Sequence, residues 1–423
     1  MGAQLTAPHA VNRIPVLALL IASTVSLIGS MLSLVALPWF VLQTTGSPAR
    51  AGMVGFAVFL PGFAAGIFGG TLVDRLGFKR ASVLADTISG VGVAAIPLLY
   101  HSIGLAFWQL LTLVFLGALL DVPGLTARRS MLPELTDRAG MRLERVNAAF
   151  ESINNLARLV GPPIAGLLIS WVGASNVLWL DGASFLASAL LIALVVPRPP
   201  APAASPVHGR YFEEVMAGLR FIQHDRLLFP MAIVLALSNG LTSSMVAVVL
   251  PVYAERVFGT ATDLGLMVAA SGGGALVGAT LYGSVGHRVP RSVIWLGGFL
   301  LVPVAYWALS ASASLPVLLV VFAIAGMVMG PINPLMVTIR HERSPGYLRG
   351  RVFSTYSAIA MAVQPLGILI TGYLIESFGL RPTVLLIAAG LQALALAMLF
   401  IPAFRAMEPP TVAARDHQPA AQP

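Results

Sequence analysis

Twelve apolar stretches, each long enough to cross a bilayer, fill this 423-residue chain almost from end to end, and charged residues sit nearly all in the gaps between them. A spanning helix needs about 20 apolar residues. Lipid offers backbone groups no water, so stretches of this length have to satisfy their own hydrogen bonds as helices. The expected spans are 15–45, 50–73, 80–100, 104–127, 147–170, 175–196, 227–255, 262–285, 292–311, 315–339, 352–376 and 382–403. The fold class is therefore an all-α membrane protein, and the first span is expected to be retained rather than cleaved as a signal peptide. Only 10% of the residues are charged, against about 25% in a soluble domain, which excludes a water-soluble enzyme.

Chemistry-bearing motifs are sparse. There is no cysteine, which removes disulfides, thiolate metal sites and cysteine nucleophiles. The seven histidines are scattered in loops without metal-ligand spacing, and no Gly-x-x-x-x-Gly-Lys-Ser/Thr loop is present to hold ATP. No cofactor, metal or enzymatic activity is expected.

The +8 charge is a topology signal. All but four of the 25 Lys and Arg lie at the N-terminus, in the even-numbered loops or at the C-terminus; the exceptions are Arg50, Arg256, Arg381 and Arg158. The positive-inside rule then puts both termini in the cytoplasm. A basic balance arranged this way gives no reason to expect nucleic acid as a partner. The bilayer is the expected partner, in the inner (plasma) membrane.

The longest polar break, Pro197–Arg226, splits the chain six spans from six. It opens on a Pro-rich extended stretch. From Tyr211 to Gln223, apolar residues then recur at helical spacing, which predicts an amphipathic helix lying on the inner membrane surface. The expected organisation is residues 1–196 as an N-terminal six-helix bundle, 197–226 as a cytoplasmic linker, 227–404 as a C-terminal six-helix bundle, and 405–423 as a disordered tail. The halves repeat. Leu37-Pro38, Gly46 and Gly52 match Leu250-Pro251, Gly259 and Gly265. Thr71-Leu72 and Gly77 match Thr280-Leu281 and Gly286. Arg145-Val146, Gly166, Leu168-Ile169 and Gly173 match Arg351-Val352, Gly372, Leu374-Ile375 and Gly379. The offset drifts only from 213 to 209 to 206. Two parallel halves with a site between them near the midplane is a plan of secondary transporters.

The sharpest motif runs from Gly69 to Arg80. Gly70, Leu72, Asp74, Arg75, Gly77, Lys79 and Arg80 fit the cytosolic signature of the major facilitator superfamily, which this stretch resembles. The resemblance implies twelve helices in two pseudo-symmetric bundles and a conformational latch made by Gly70, Asp74, Arg75, Gly77, Lys79 and Arg80. Asp74 would face the N-terminus of span eleven near Arg351, a favourable place for an anion. The second-half copy, Gly283 to Arg291, keeps Gly286, Arg288 and Arg291 but has no acid at the Asp74 position. In span five, Gly161, Pro162 and Gly166 resemble the Gly-Pro-x-x-x-Gly element of exporters, tied in that family to antiport and to sealing the path; helix packing alone is the other reading. Val35–Trp39, Asp181–Leu186, Gly218–Ile222, Leu250–Tyr253 and Arg349–Phe353 extend the resemblance to the macrolide-efflux and enterobactin-exporter branch. Two departures bear on proton coupling. Gly29 is followed by Ser30 where many members have an acid, and Leu113 stands about where span four usually buries an arginine.

Charges in mid-membrane cost at least about 2.5–3.5 kcal/mol and tend to be paired and functional. Arg158 reads as the deepest charge. An Asp121–Arg158–Glu151 network, with Asn154 between its members, is the expected coupling site; a permanent structural salt bridge is the plainer reading. Asp86 and Asp181 are further coupling candidates. Asn239, Asn333 and Gln364 are neutral groups that bind substrate or pin helices. Glu255 and Glu376 read as solvated caps at the outer face. Trp39, Phe56 and Phe59 are candidates to line an apolar cavity.

The resemblance implies a secondary active transporter that exports a drug-like or siderophore-like small molecule by proton antiport with alternating access, working as a monomer. The alternatives are a proton-coupled uptake symporter for a nutrient and a non-transporting membrane receptor or scaffold.

Overall fold

The computed structural model describes residues 12–197, 211–405 and 407, and gives only the backbone of 63–72, 74, 75 and 211–215. The N-terminal residues, most of the Pro-rich linker and the expected tail lie outside the described residues.

The first half is built from α1 (Ile14–Thr45), α2 (Pro48–Leu76), α3 (Phe78–Ser102), α4 (Phe107–Leu119) with α5 (Asp121–Arg138), α6 (Leu143–Val172) and α7 (Ala174–Val195). A linker helix, α8 (Tyr211–His224), follows. The second half holds α9 (Leu228–Ser244) with α10 (Leu250–Tyr253), α11 (Ala261–Val285), α12 (Arg291–Leu301) with α13 (Pro303–Ser310), α14 (Leu315–Met329) with α15 (Ile332–Arg343), α16 (Arg349–Met361) with α17 (Gln364–Phe378), and α18 (Leu380–Met398), with a last turn α19 (Pro402–Arg405). Among the described residues, 11 helical segments are long and apolar enough to cross a membrane. With the 29-residue α2 these make the twelve expected spans. The largest boundary change is in span four, which does not end near 127 but continues to Arg138.

Several spans are broken where the sequence removes a backbone donor. Pro303, Pro331 and Pro365 each sit at a junction between two helical pieces. Proline cannot donate to the preceding turn and clashes with its carbonyl. In span seven two π-helical turns, Met245–Val249 and Ala254–Phe258, flank α10. Repeat-matched glycines share a conformation: Gly46 and Gly259 have φ of 65° and 75°, and Gly173 and Gly379 have 85° and 90°. Side-chain-bearing residues rarely adopt this left-handed region, so these two helix ends are built alike in both halves, whereas Gly77 has φ 79° and its match Gly286 opens a 3-10 turn instead.

The chain divides into two compact units that do not follow the repeat boundary. One takes the first six spans together with Thr242–Ala269 and Met361–Leu380; the other takes Arg210–Leu241, Ala270–Ala360 and the chain from Arg381. In the first unit a core of Val16, Leu19, Met131, Phe150 and Ile192 joins α1, α5, α6 and α7. In the second, Ile222, Leu228, Trp295, Leu335, Tyr356 and Phe404 form the core. The outward surface carries exposed Leu17, Ile21, Trp108, Leu190, Leu194 and Leu386, as a surface solvated by hydrocarbon requires.

Within the second unit α11 and α14 touch backbone to backbone. A Cβ on Gly274 or Gly278 would overlap the carbonyls of Ala323 or Met327, and one on Gly326 or Gly330 would overlap those of Ser271 or Ala275. Small residues at such seams are how membrane helices gain packing without a hydrophobic driving force.

The linker helix corrects one expectation. Rather than lying free on the membrane surface, α8 docks on the start of α16: a Cβ on Gly218 would come 2.8 Å from the Arg351 carbonyl. Ile222 is fully buried in the second core. An amphipathic face is satisfied by protein as well as by lipid, and here Ile222 goes to protein while Met216 stays exposed.

Candidate functional site

The deepest ion pair joins α5 to α3. Arg128 donates to Asp86, and their side chains are 5% and 3% exposed. Ser188 of α7 donates to the other Asp86 oxygen at 2.6 Å. The Arg128 guanidinium also reaches Ser82 and Ser26, each at 3.3 Å. Burying two charges repays its desolvation only when the remaining donors and acceptors are met, and three serines do that here. Sequence reasoning placed Arg128 in an inner loop and missed it. The repeat gave no signal for it: the offsets of the flanking matches, 209 and 206, carry Arg128 to a stretch of the second half without an arginine.

Beside this pair lies a cavity of about 170 Å³ walled by α1, α2, α3, α4 and α7. Leu34, Leu37, Val58, Phe59, Ile96 and Phe185 make it apolar, and Asp121 and Asp181 reach it. Ser33 donates to one Asp181 oxygen, and Ser184 reaches the other at 3.3 Å. Asp181 also lies against Gly29, where a Cβ would collide with it. The carboxylate that the first helix lacks after Gly29 is thus supplied from α7. The Ser89 hydroxyl lies 2.9 Å from Asp121 Oδ1 and 2.7 Å from the Gly117 carbonyl. Among the described residues neither Asp121 nor Asp181 forms an ion pair, whereas Asp86 has Arg128.

The expected Asp121–Arg158–Glu151 network is not assembled. Glu151 accepts from Arg129 at 2.8 Å, both side chains being more than half exposed. Asn154 is buried and donates to its own helix at the Phe150 carbonyl, 2.9 Å away. Arg158 is exposed and makes no ion pair or hydrogen bond among the described residues. Its face explains why. Glu144, Asn147, Glu151, Asn155 and Arg158 form one exposed polar stripe on the first half of α6, while the opposite stripe, Leu156, Val160, Ile164, Leu167 and Trp171, is exposed and apolar. Hydrocarbon does not tolerate the first stripe or require the second to be polar, so α6 has a wet face and a lipid face.

Higher on α6 the wet face closes. Pro162, Ala165, Gly166 and Ile169 are buried; a Cβ on Gly166 would meet the Thr262 Cα at 3.0 Å, and one on Gly265 would come 3.1 Å from the Pro163 Cα. Gly161 packs on Met31, and Ser170 bonds Thr262 at 2.9 Å. A matching crossing joins α2 to α17, where a Cβ on Gly52 would lie 3.0 Å from the Gly372 Cα. These crossings use two repeat-matched pairs, Gly52 with Gly265 and Gly166 with Gly372. Glu376 completes the second crossing. It accepts from the Ser47 hydroxyl and, at 3.0 Å, from the Ala49 amide, so it caps the N-terminus of α2, a helix from the other half of the sequence.

The other sequence candidates fall as follows. Asn239 donates to the Ala360 carbonyl at 2.9 Å, just before the break in span eleven, and Ser243 donates to the Gln364 carbonyl at 3.3 Å. Asn333 is exposed. Phe59 lines the cavity, Phe56 faces a separate groove, and Trp39 is buried. In the loop motif, Gly77 (φ 79°) joins α2 to α3, Lys79 donates to the Ala193 carbonyl at 2.8 Å and Arg80 is exposed. Gly70 and the side chains of Asp74 and Arg75 lie outside the described residues.

The helix order, the paired breaks and the repeat-matched crossings reproduce the expected transporter plan, and residues 6–422 match the family model described as transmembrane secretion effector, of the major facilitator superfamily. The chain belongs to this family. It is 36% identical over 404 residues to the multidrug efflux pump Tap of Mycobacterium tuberculosis, covering 94% of this chain and 96% of that one. It is 23% identical to macrolide efflux protein A of Streptococcus pyogenes, covering 84% and 88%. Among solved structures, the nucleoside transporter NupG (D323A mutant) superposes with a TM-score of 0.77 at 12% identity, covering 93% of this chain and 99% of that one. A bacterial homologue of the human lysosomal transporter Spinster gives 0.71 at 17%, covering 93% and 96%. These family members share the helical fold, and the chain is a multi-pass membrane protein of that fold.

Proposed function

We propose that the chain exports a lipophilic, drug-like small molecule in exchange for protons, by alternating access of its two repeats, with both termini in the cytoplasm. The relatives whose names specify drug or macrolide efflux support the cargo class. One observation carries the coupling: an apolar cavity reached by two carboxylates, Asp121 and Asp181, that hold hydroxyls and no cation. A mid-membrane carboxylate calls for a positive partner, and a proton or a cationic cargo group fills that place.

The geometry at Ser89 supports a proton as one of the two. Its hydroxyl has a single hydrogen and faces two acceptors, the Gly117 carbonyl and Asp121 Oδ1. Both contacts are full two-centre hydrogen bonds when Asp121 carries a proton and donates to Ser89; an ionised Asp121 instead competes with the carbonyl for the one hydrogen. Loss of that proton swings the Ser89 hydrogen to the carboxylate and frees the Gly117 carbonyl. The buried Asp86–Arg128 pair, already neutral as a unit, holds α3 and α5 fixed around this switch.

The crossings at Gly52–Gly372 and Gly166–Thr262, with Glu376 on the α2 N-terminus, close the outer ends of the helices they join. The wet face of α6 stays open below them. Release of the cargo outward then requires these crossings to part, and the Asp74 loop is the element proposed to hold the opposite end in that state.

The test is transport in proteoliposomes with an imposed pH gradient, alongside drug accumulation in a pump-deleted strain with an uncoupler control. Wild type should move lipophilic drugs against their gradient only while the proton gradient lasts. Asp121→Asn together with Asp181→Asn should leave folding intact and reduce flux to background. Flux that survives both substitutions, or drug entering energised cells, would remove the reading.

A further inference from the structure

The second-half copy of the loop motif is absorbed by nothing above. In the first half this turn brings its own acid, Asp74. At the matched position the second half has Gly283, and a Cβ there would meet nothing within 4 Å. What remains is basic. The turn Gly286–Arg288 exposes His287 and Arg288. Neither forms a hydrogen bond or ion pair among the described residues. The neighbouring Arg291 is already engaged, bonded to both oxygens of Glu342 at 2.6 and 2.8 Å. Of the two arginines that flank this turn, Arg288 is the one without a carboxylate partner among the described residues.

Directly beside that turn runs an open groove of about 280 Å³ between α11, α12 and α14. Gly286 and Val289, the residues that flank His287 and Arg288, form its rim; Leu281, Val285, Val293, Leu301 and Met327 line it further in. Those five side chains are between 37% and 57% exposed. The groove exists because Gly297 leaves open space where any side chain would stand, while the glycine seam pulls α11 onto α14 and away from α12. Its walls are apolar, unlike the wet stripe on α6, so it opens to hydrocarbon rather than to water.

We propose that this groove holds one acyl chain of an anionic phospholipid whose phosphate sits at Arg288 and His287. Charge complementarity selects the occupant. A neutral acyl chain alone would fit the groove but leave Arg288 without an anion, and a soluble phosphate would meet Arg288 but leave the groove empty. Anionic headgroups at the cytoplasmic face are drawn to basic side chains near the surface, about 1 kcal/mol for each, which is about a fivefold preference. The inference requires that these helices span the bilayer with this turn at the cytoplasmic face, the orientation proposed above, and it is independent of the cargo and of the coupling ion.

The full-length protein, purified in detergent, is titrated with phosphatidylglycerol and with phosphatidylcholine of identical chains, and retained lipid is counted by native mass spectrometry. Wild type should retain phosphatidylglycerol at least about fivefold better. Arg288→Gln should remove that preference while leaving phosphatidylcholine retention and thermal melting unchanged. Gly297→Leu, which enters open space and should fold normally, should lower retention of both lipids. Equal retention of the two lipids by wild type, an undiminished preference in Arg288→Gln, or displacement of the lipid by millimolar inorganic phosphate would each overturn the proposal. Because no transport is measured, failure here leaves the exporter reading untouched, and failure of that reading leaves this one standing.

Discussion

Arg128 on α5 and Arg340 on α15 are both buried, one in each repeat, yet they are neutralised differently. Arg128 has a carboxylate, Asp86, and three serines around it. Arg340 has two aromatic faces, its guanidinium carbon lying 4.5 Å from the Phe353 ring centre and 4.9 Å from that of Tyr356, and its Nε donates back to the Met336 carbonyl at 3.3 Å. Where the first repeat has Asp86, the second has the apolar wall around Trp295, which is fully buried. The first repeat also holds Asp121 and Asp181, and the second offers Asn239, Asn333 and Gln364. The carboxylates that reach the cavity therefore both come from the first repeat. The other repeat carries its arginine on aromatic faces. Under the proposed proton exchange, this division would put the coupling groups in the first repeat.

The comparison can be broken most directly by transport. Asp181→Asn alone should bring proton-driven flux close to background, whereas Asn239→Asp should not create a second coupling site; flux retained by the first variant would show that Asp181 is dispensable for coupling. Next in size is stability. Arg128→Leu leaves Asp86 buried without a partner and should cost about 3–5 kcal/mol, seen as a loss of folded protein in detergent melting. The double variant Arg128→Leu, Asp86→Leu should regain most of it, since removing both charges of a buried pair is often neutral. Gly372→Leu forces a side chain into the Gly52 backbone and should cost about 1–3 kcal/mol, with outer-end cysteine labelling rising as the crossing opens. Glu376→Gln keeps the shape but removes the charge at the α2 N-terminus, worth about 0.3–1 kcal/mol; labelling at the same positions should rise only slightly. Smallest is Arg340→Met, which forfeits cation–π attraction of about 0.5–2 kcal/mol but also sheds a buried charge. A melting loss equal to that of Arg128→Leu would erase the distinction between the repeats.

The spans, their number and the internal repeat were legible because bilayer thickness imposes a length and turns impose glycines; Gly46, Gly173, Gly259 and Gly379 could be matched before any coordinate existed. The charge network was not legible, for two reasons. Depth along a helix says nothing about direction around it, so Arg158 read as buried although it stands on the wet face of α6. Span four also continues 11 residues past its expected end at 127, which carries Arg128 from a supposed loop into the bundle beside Asp86. Asp181 was found as a candidate, but not its partner Ser33, 148 positions away in the chain, because a serine in an apolar helix announces nothing until its neighbour is known. Glu376 read as a solvated cap at the end of its own span, whereas it accepts from Ser47 and Ala49 at the start of α2, partners 329 and 327 positions away in the chain.

The backbone seam of α11 and α14 carries an evolutionary consequence. Every single-base change that alters a glycine codon installs a larger side chain or a stop. At Gly274, Gly278, Gly326 and Gly330 each such change drives a carbon into a neighbouring carbonyl. A lineage under drug selection can therefore explore its cargo-facing walls freely, while these four codons stay silent: variants recovered from resistant populations should be empty there, and the seam should be the most conservative line in the gene.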